Sequence, residues 1–120
     1  MKRLILEIGT GNDLYGQDYT KAGCRAVQDA IHHSSLTLFK SLGIDHKKMQ
    51  VKVKIAVQKP EKVDKSLIAL ELPRGEVIVE VVKGGLDIED IENKTISVIA
   101  NAAVEACLDI KKSDWTLTNS

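Results

Sequence analysis

Alternation is the clearest pattern in this chain. From Gln50 to Lys59, Val51, Val53, Ile55 and Val57 fall on one side, and Lys52, Lys54 and Gln58 on the other. That period of two marks a strand with one buried and one solvated face. A second alternating run spans Thr95 to Ile110, where Ile96, Val98, Ala100, Ala102, Val104, Ala106, Leu108 and Ile110 are all apolar. A helix packed through Ala103 and Cys107 is the competing reading. The unbroken alternation favours a strand, whose mixed second face places Asn101 and Glu105 on one side. Lys2 to Ile8 makes a first strand, with Leu4, Leu6 and Ile8 sharing a face. Glu76 to Lys83, rich in Val, makes another that Gly84-Gly85 closes.

The period changes to that of a helix between Asp18 and Leu42. Gly23, Val27, Ala30, Ile31, Ser34, Leu38 and Leu42 form one stripe at spacings of three and four, and Gly43 suits its end. Pro60 opens a short helix, with Val63, Leu67 and Leu70 expected inside and Pro73 ending it. The predicted order is strand, helix, strand, short helix, strand, strand. This is an α+β domain over residues 1–112 with a four-stranded mixed sheet and two helices on one face. Residues 113–120 are expected to form a flexible tail. Helices on one face leave the other sheet face uncovered, and such a face favours self-association.

Between the first strand and the long helix lies Ile8 to Lys21, with Gly9, Gly11 and Gly16 among Asn12, Asp13, Gln17 and Asp18. Read as a loop at a helix N-terminus, it exposes amides that hold small anionic or amide-bearing ligands. It is not a dinucleotide fingerprint, because Leu14 stands where the third glycine belongs. Nor is it a Walker loop, since Gln17 and Asp18 replace the Lys and Ser/Thr. A purely structural turn with Asp18 as helix cap is the alternative.

Composition narrows the function classes. Seventeen basic residues balance seventeen acidic ones, which argues against nucleic acid as a partner. No apolar run approaches the length of a membrane span, and Met1 to Leu4 does not begin a secretory signal, so a cytoplasmic protein is expected. Cys24 and Cys107 make no metal or redox motif, and His32, His33 and His46 lack ligand spacing. No metal or cofactor is expected.

Several motifs carry resemblances. Glu7-Ile-Gly-Thr-Gly with Gly16-Gln-Asp-x-Thr-Lys21, Pro60-Glu-x-Val-Asp64, Leu72-Pro-x-Gly-Glu-Val77 with Gly84-Gly-Leu86, and Ile99-Ala-Asn-Ala-Ala-Val104 resemble a small bacterial family of conserved hypothetical proteins of about this length. In architecture the element order resembles the AroH-type chorismate mutases and the YjgF trimers, which implies a chorismate-mutase-like or YjgF-like fold and a homotrimer. Asp18-Tyr-Thr-Lys21 and Ala100-Asn-Ala-Ala-Val-Glu105 are similar to segments of one repeat of the cyanuric acid hydrolase and barbiturase group. Asn101 and Ala102 stand where that group has serines, and no lysine matches in the Gly9-Thr10 stretch, so the likeness implies a scaffold rather than a reaction.

The functional expectation is an oligomeric protein that binds a small polar or amide-containing metabolite at a subunit-interface pocket, whether or not it acts on it as an enzyme. The ligand-binding candidates are Asn12, Asp13, Gln17, Asp18, Arg74, Asn101 and Glu105. A carboxylate would take a ligand proton, Arg74 would clamp an anion, and Asn101 would read an amide. A non-catalytic oligomeric scaffold or regulator is the other reading.

Overall fold

The computed structural model describes residues 2–32, 49–72 and 76–108. Among the described residues five strands form one mixed sheet: β1 (Lys2–Asp13), β2 (Met49–Val57), β3 (Glu76–Lys83), β4 (Leu86–Asp90) and β5 (Thr95–Leu108). Helix α1 (Tyr19–His32) follows β1, while a 3-10 turn (Pro60–Lys62) and the short helix α2 (Lys65–Ala69) follow β2. The main path runs β1-β5-β2-β3, and β4 pairs with β5 beyond the end of β2. Only β2 and β3 are parallel; the other pairs are antiparallel.

The alternating runs behave as their pattern dictates. Val51, Val53, Ile55 and Val57 of β2 are buried, as are Val98, Ala100, Ala102, Val104 and Ala106 of β5. Thr95 onward is therefore a strand, central in the sheet, with β1 on one side and β2 and β4 on the other. Tyr19, Ala22, Ala26, Val27 and Ala30 of α1 and Ile68 of α2 complete the core. Both helices lie on one face of the sheet.

Three expectations need correction. The sheet has five strands rather than four, because Leu86–Asp90 pairs with Thr95–Ile99 as a hairpin after the Gly84-Gly85 turn. The short helix is two pieces, and its inward residue is Ile68, with Leu72 beside it; Leu67 and Leu70 are exposed. Asp64 causes the change of phase. Its side chain accepts the Ser66 amide at 3.0 Å and starts a new helix at Lys65.

The third correction concerns Gly9 and Gly11, which lie inside β1 and not in a loop. Both face α1. A Cβ on Gly9 would lie 2.2 Å from the Ala26 carbonyl oxygen, and one on Gly11 would lie 2.2 Å from the Ala26 nitrogen. The glycines let strand and helix backbones approach, against the small stripe Ala22, Ala26 and Ala30. Leu6 and Ile8 consequently sit on the opposite face, exposed. Ser34, Leu38, Leu42, Gly43, His33, His46, Pro73 and residues 109–120, which figured in the sequence expectations, lie outside the described residues.

Candidate functional site

The turn from β1 into α1 is built around Asp13. Alternation along β1 turns this residue to the helix side, where it is only 7% exposed. Its Oδ2 accepts the Asp18 amide at 2.9 Å, and its Oδ1 stands 3.6 Å from Arg25 Nη1. Asp18 in turn accepts the Lys21 amide at 3.0 Å through Oδ1, the bond of a helix N-cap. Gln17 supports the same turn with a left-handed backbone, φ 51°. The carboxylates of Asp13 and Asp18 are thus engaged with their own chain's amides.

Beside this turn lies a second, part-buried polar pair. Tyr19 is buried, and its hydroxyl donates to Asp87 Oδ2 at 2.5 Å, tying α1 to β4. Burial, followed by the bond to Asp87, pushes the phenol up to about 12. The other carboxylate oxygen, Oδ1, is buried without a hydrogen-bond partner.

The remaining candidates point the other way. Asn12, Asn101 and Glu105 lie on the sheet face that neither described helix covers, as the register shows. Leu6, Glu105, Lys52 and Ile78 form one row across β1, β5, β2 and β3. Ile8, Ala103, Lys54 and Glu80 form the next, then Thr10, Asn101, Ala56 and Val82. Beyond β2 the rows continue with Asn12, Ile99 and Leu86, and with Ser97 and Ile88. Asn101 Oδ1 accepts a 3.4 Å bond from the Thr10 hydroxyl. Asn101 and Glu105, four residues apart, are separated by roughly 13 Å along the strand. Sequence candidates therefore divide between two faces, Asp13, Gln17 and Asp18 against Asn12, Asn101 and Glu105. Arg74 lies outside the described residues.

A hollow of about 350 Å³ opens on this uncovered face, lined by Lys52, Val53, Lys54, Ile78, Glu80, Ala103 and Glu105. The small Ala103 forms its floor between longer neighbours. Lys54 Nζ stands 3.6 Å from Glu80 Oε2, an exposed pair that contributes little to stability. The Cys107 thiol donates to Glu105 Oε1 at 3.5 Å, and burial, then Glu105, pushes that thiol up, away from the reactive thiolate. Burial likewise raises Cys24. Lys52, Lys54 and Glu80 were not candidates from sequence, where the two lysines read as the solvated side of a strand; only the register gathers all three with Glu105. Among the described residues no group of three or more His, Cys, Asp or Glu is placed to hold a metal ion. No described helix is long and apolar enough to cross a membrane.

Comparison with known proteins locates this geometry in a family. The family model of conserved hypothetical proteins named Lin0512 matches residues 3–106. The chain belongs to that family. The match takes in every strand but its outermost residues and both described helices. Among solved structures, the chain is similar to an FtsZ-like protein of unknown function from Nostoc punctiforme PCC 73102. The two share 33% identity and a TM-score of 0.78, over 91% of this chain and 97% of that one. Among curated proteins none matches significantly.

Proposed function

We propose that this chain is a self-associating protein that binds a small polar molecule between its copies, in the hollow on the open sheet face. The observation that carries the reading is the hollow itself: lysines and glutamates lie side by side in it, and the aliphatic Ile78 lines it. Leu6, Ile8, Ile78, Leu86 and Ile88 are all large, apolar and at least 44% exposed on this one face. Charged residues separate them, but each is apolar surface whose covering is worth about 25 cal/mol per Å². A covering copy would also close the hollow, where Lys52 and Lys54 suit a carboxylate and Glu80 and Glu105 suit N–H groups.

The architecture supports a chorismate-mutase-like or YjgF-like arrangement, and that likeness suggests a homotrimer. Free thiols at Cys24 and Cys107 support a reducing, cytoplasmic setting. A second reading, an oligomeric scaffold without a ligand, draws support from the structural engagement of Asp13 and Asp18.

Thermal melts with millimolar glutamate, acetate or inorganic phosphate test the ligand. Binding to the folded state raises the melting temperature, by about 2.7 kcal/mol of stabilisation at a hundredfold excess over Kd. The expected result is a shift in the wild type that Lys54→Ala abolishes. Equal shifts in both proteins would place binding elsewhere, and no shift with any probe would favour the scaffold.

A further inference from the structure

From the row pattern of the open face we infer that its occupant is a second copy of the same face, related by a two-fold axis parallel to the strands and running between β5 and β2. This rests on the self-association proposed above and makes it a dimer, in place of the trimer that the architectural likeness suggests. Such an axis lays β5 of one copy over β2 of the other, and β1 over β3. Each row then meets its own reversal.

In the first row Glu105 meets Lys52 of the second copy, and Leu6 meets Ile78. In the second, Lys54 enters the space above Ala103, the floor of the hollow. Further along, Ile99 meets Leu86. Opposite charge thus faces opposite charge, apolar faces apolar, and the longest side chain faces the smallest. Ile8 against Glu80, Thr10 against Val82, Asn101 against Ala56 and Ser97 against Ile88 depart from this, and Glu80 already has Lys54 beside it. Because the contact is isologous, every favourable pair occurs twice.

An in-plane axis running across the strands between the first two rows fails on charge. It sets Lys52 against Lys54 and Ile78 against Glu80, and like charges facing each other oppose association. Sheet twist does not spoil the preferred arrangement. Aligned sheets pack at about 30° to each other, and pairs near the axis are displaced least. Strands are about 4.8 Å apart, so Glu105 and Lys52 stand within about 2.4 Å of the axis. The hollows of the two copies then face each other at the junction, and the Lys54 side chains reach into the space that they share.

Charge reversal tests the pairing. Glu105→Lys alone places Lys against Lys52 twice per dimer, and Lys52→Glu alone places Glu against Glu105 twice. Each variant, folded by circular dichroism, is expected to show a dissociation constant raised at least about tenfold. Mixing the two variants restores both attractive pairs, so the mixture is expected to form a heterodimer on size exclusion with light scattering. Variants that pair as tightly as wild type, or a mixture that stays monomeric, would overturn the axis. A wild-type mass of three chains would overturn the two-fold while leaving the proposed function standing. A monomeric wild type would end both.

Discussion

Replacing Gly11 by alanine tests the role assigned to the glycines of β1. The new Cβ would lie 2.2 Å from the Ala26 nitrogen, 2.3 Å from the Ala22 oxygen and 2.7 Å from the Arg25 carbonyl carbon. All three are backbone atoms of α1, so no side-chain rotation relieves the contact. Carbon contacts are comfortable near 3.5–4.0 Å, so the helix must retreat by more than about 1 Å. A gap of that size forfeits up to about half of each dispersion contact made by Ala22, Ala26, Val27 and Ala30. Overpacking costs about 1–3 kcal/mol, and the rigid neighbours put Gly11 at the top of that range. Against this, alanine reduces unfolded-state entropy by about 0.4–1 kcal/mol. The net expectation is a loss of about 2 kcal/mol or more, or about 8 °C in melting temperature. Gly23→Ala in α1 is the control. Its Cβ first meets Ile68 Cδ1 at 2.9 Å, the tip of a flexible side chain, and alanine favours the helix by up to about 1 kcal/mol. Urea unfolding of both variants decides the matter. If Gly11→Ala is no less stable than Gly23→Ala, the glycines do not serve close packing.

Two further outcomes follow from the buried polar groups. The Tyr19 phenol, raised to about 12, holds its proton while an unfolded chain's tyrosine releases it near 10. Its contribution of about 2–3 kcal/mol is present below pH 10 and disappears as pH rises through 12. Tyr19→Phe removes that dependence and leaves Asp87 without its donor, costing about 1.5–3 kcal/mol at neutral pH. Urea midpoints that fall in parallel for both proteins between pH 9 and 12 would refute the assignment. Asp13→Asn weakens the acceptor for the Asp18 amide and removes the charge opposite Arg25, with an expected loss of about 1.5–3 kcal/mol. A loss below about 0.5 kcal/mol on thermal melting would return this carboxylate to the ligand candidates.

The half-solvated strands were legible in the sequence because each carries its environment in every second residue. β5 was legible against a helical alternative for the same reason, its alternation holding through Val98 to Ala106. β4 was not: five residues with three acids carry little strand propensity, and the pairing with Thr95–Ile99 stabilises it. Gly9 and Gly11 were read as loop because glycine is common there, yet two glycines at i and i+2 share one strand face. Alanines at 22, 26 and 30 share one helix face, and the two sets are complementary. The charged hollow had no signal of its own, since Lys52, Glu80 and Glu105 come from three strands far apart in sequence. Only strand register makes them neighbours.

The outer edge of β1 decides how this sheet can grow. The Thr10 amide, which does not bond to β5, donates instead to Asp29 Oδ2 at 2.9 Å, and the Asn12 carbonyl accepts from Arg25 Nη1 at 2.7 Å. Helix α1 therefore reaches over the rim and uses up the backbone groups that another strand would need there. At that rim, continuous fibrils by strand addition are obstructed. The proposed pairing would instead use the flat of the sheet, where contact closes on itself and ends in a finite particle.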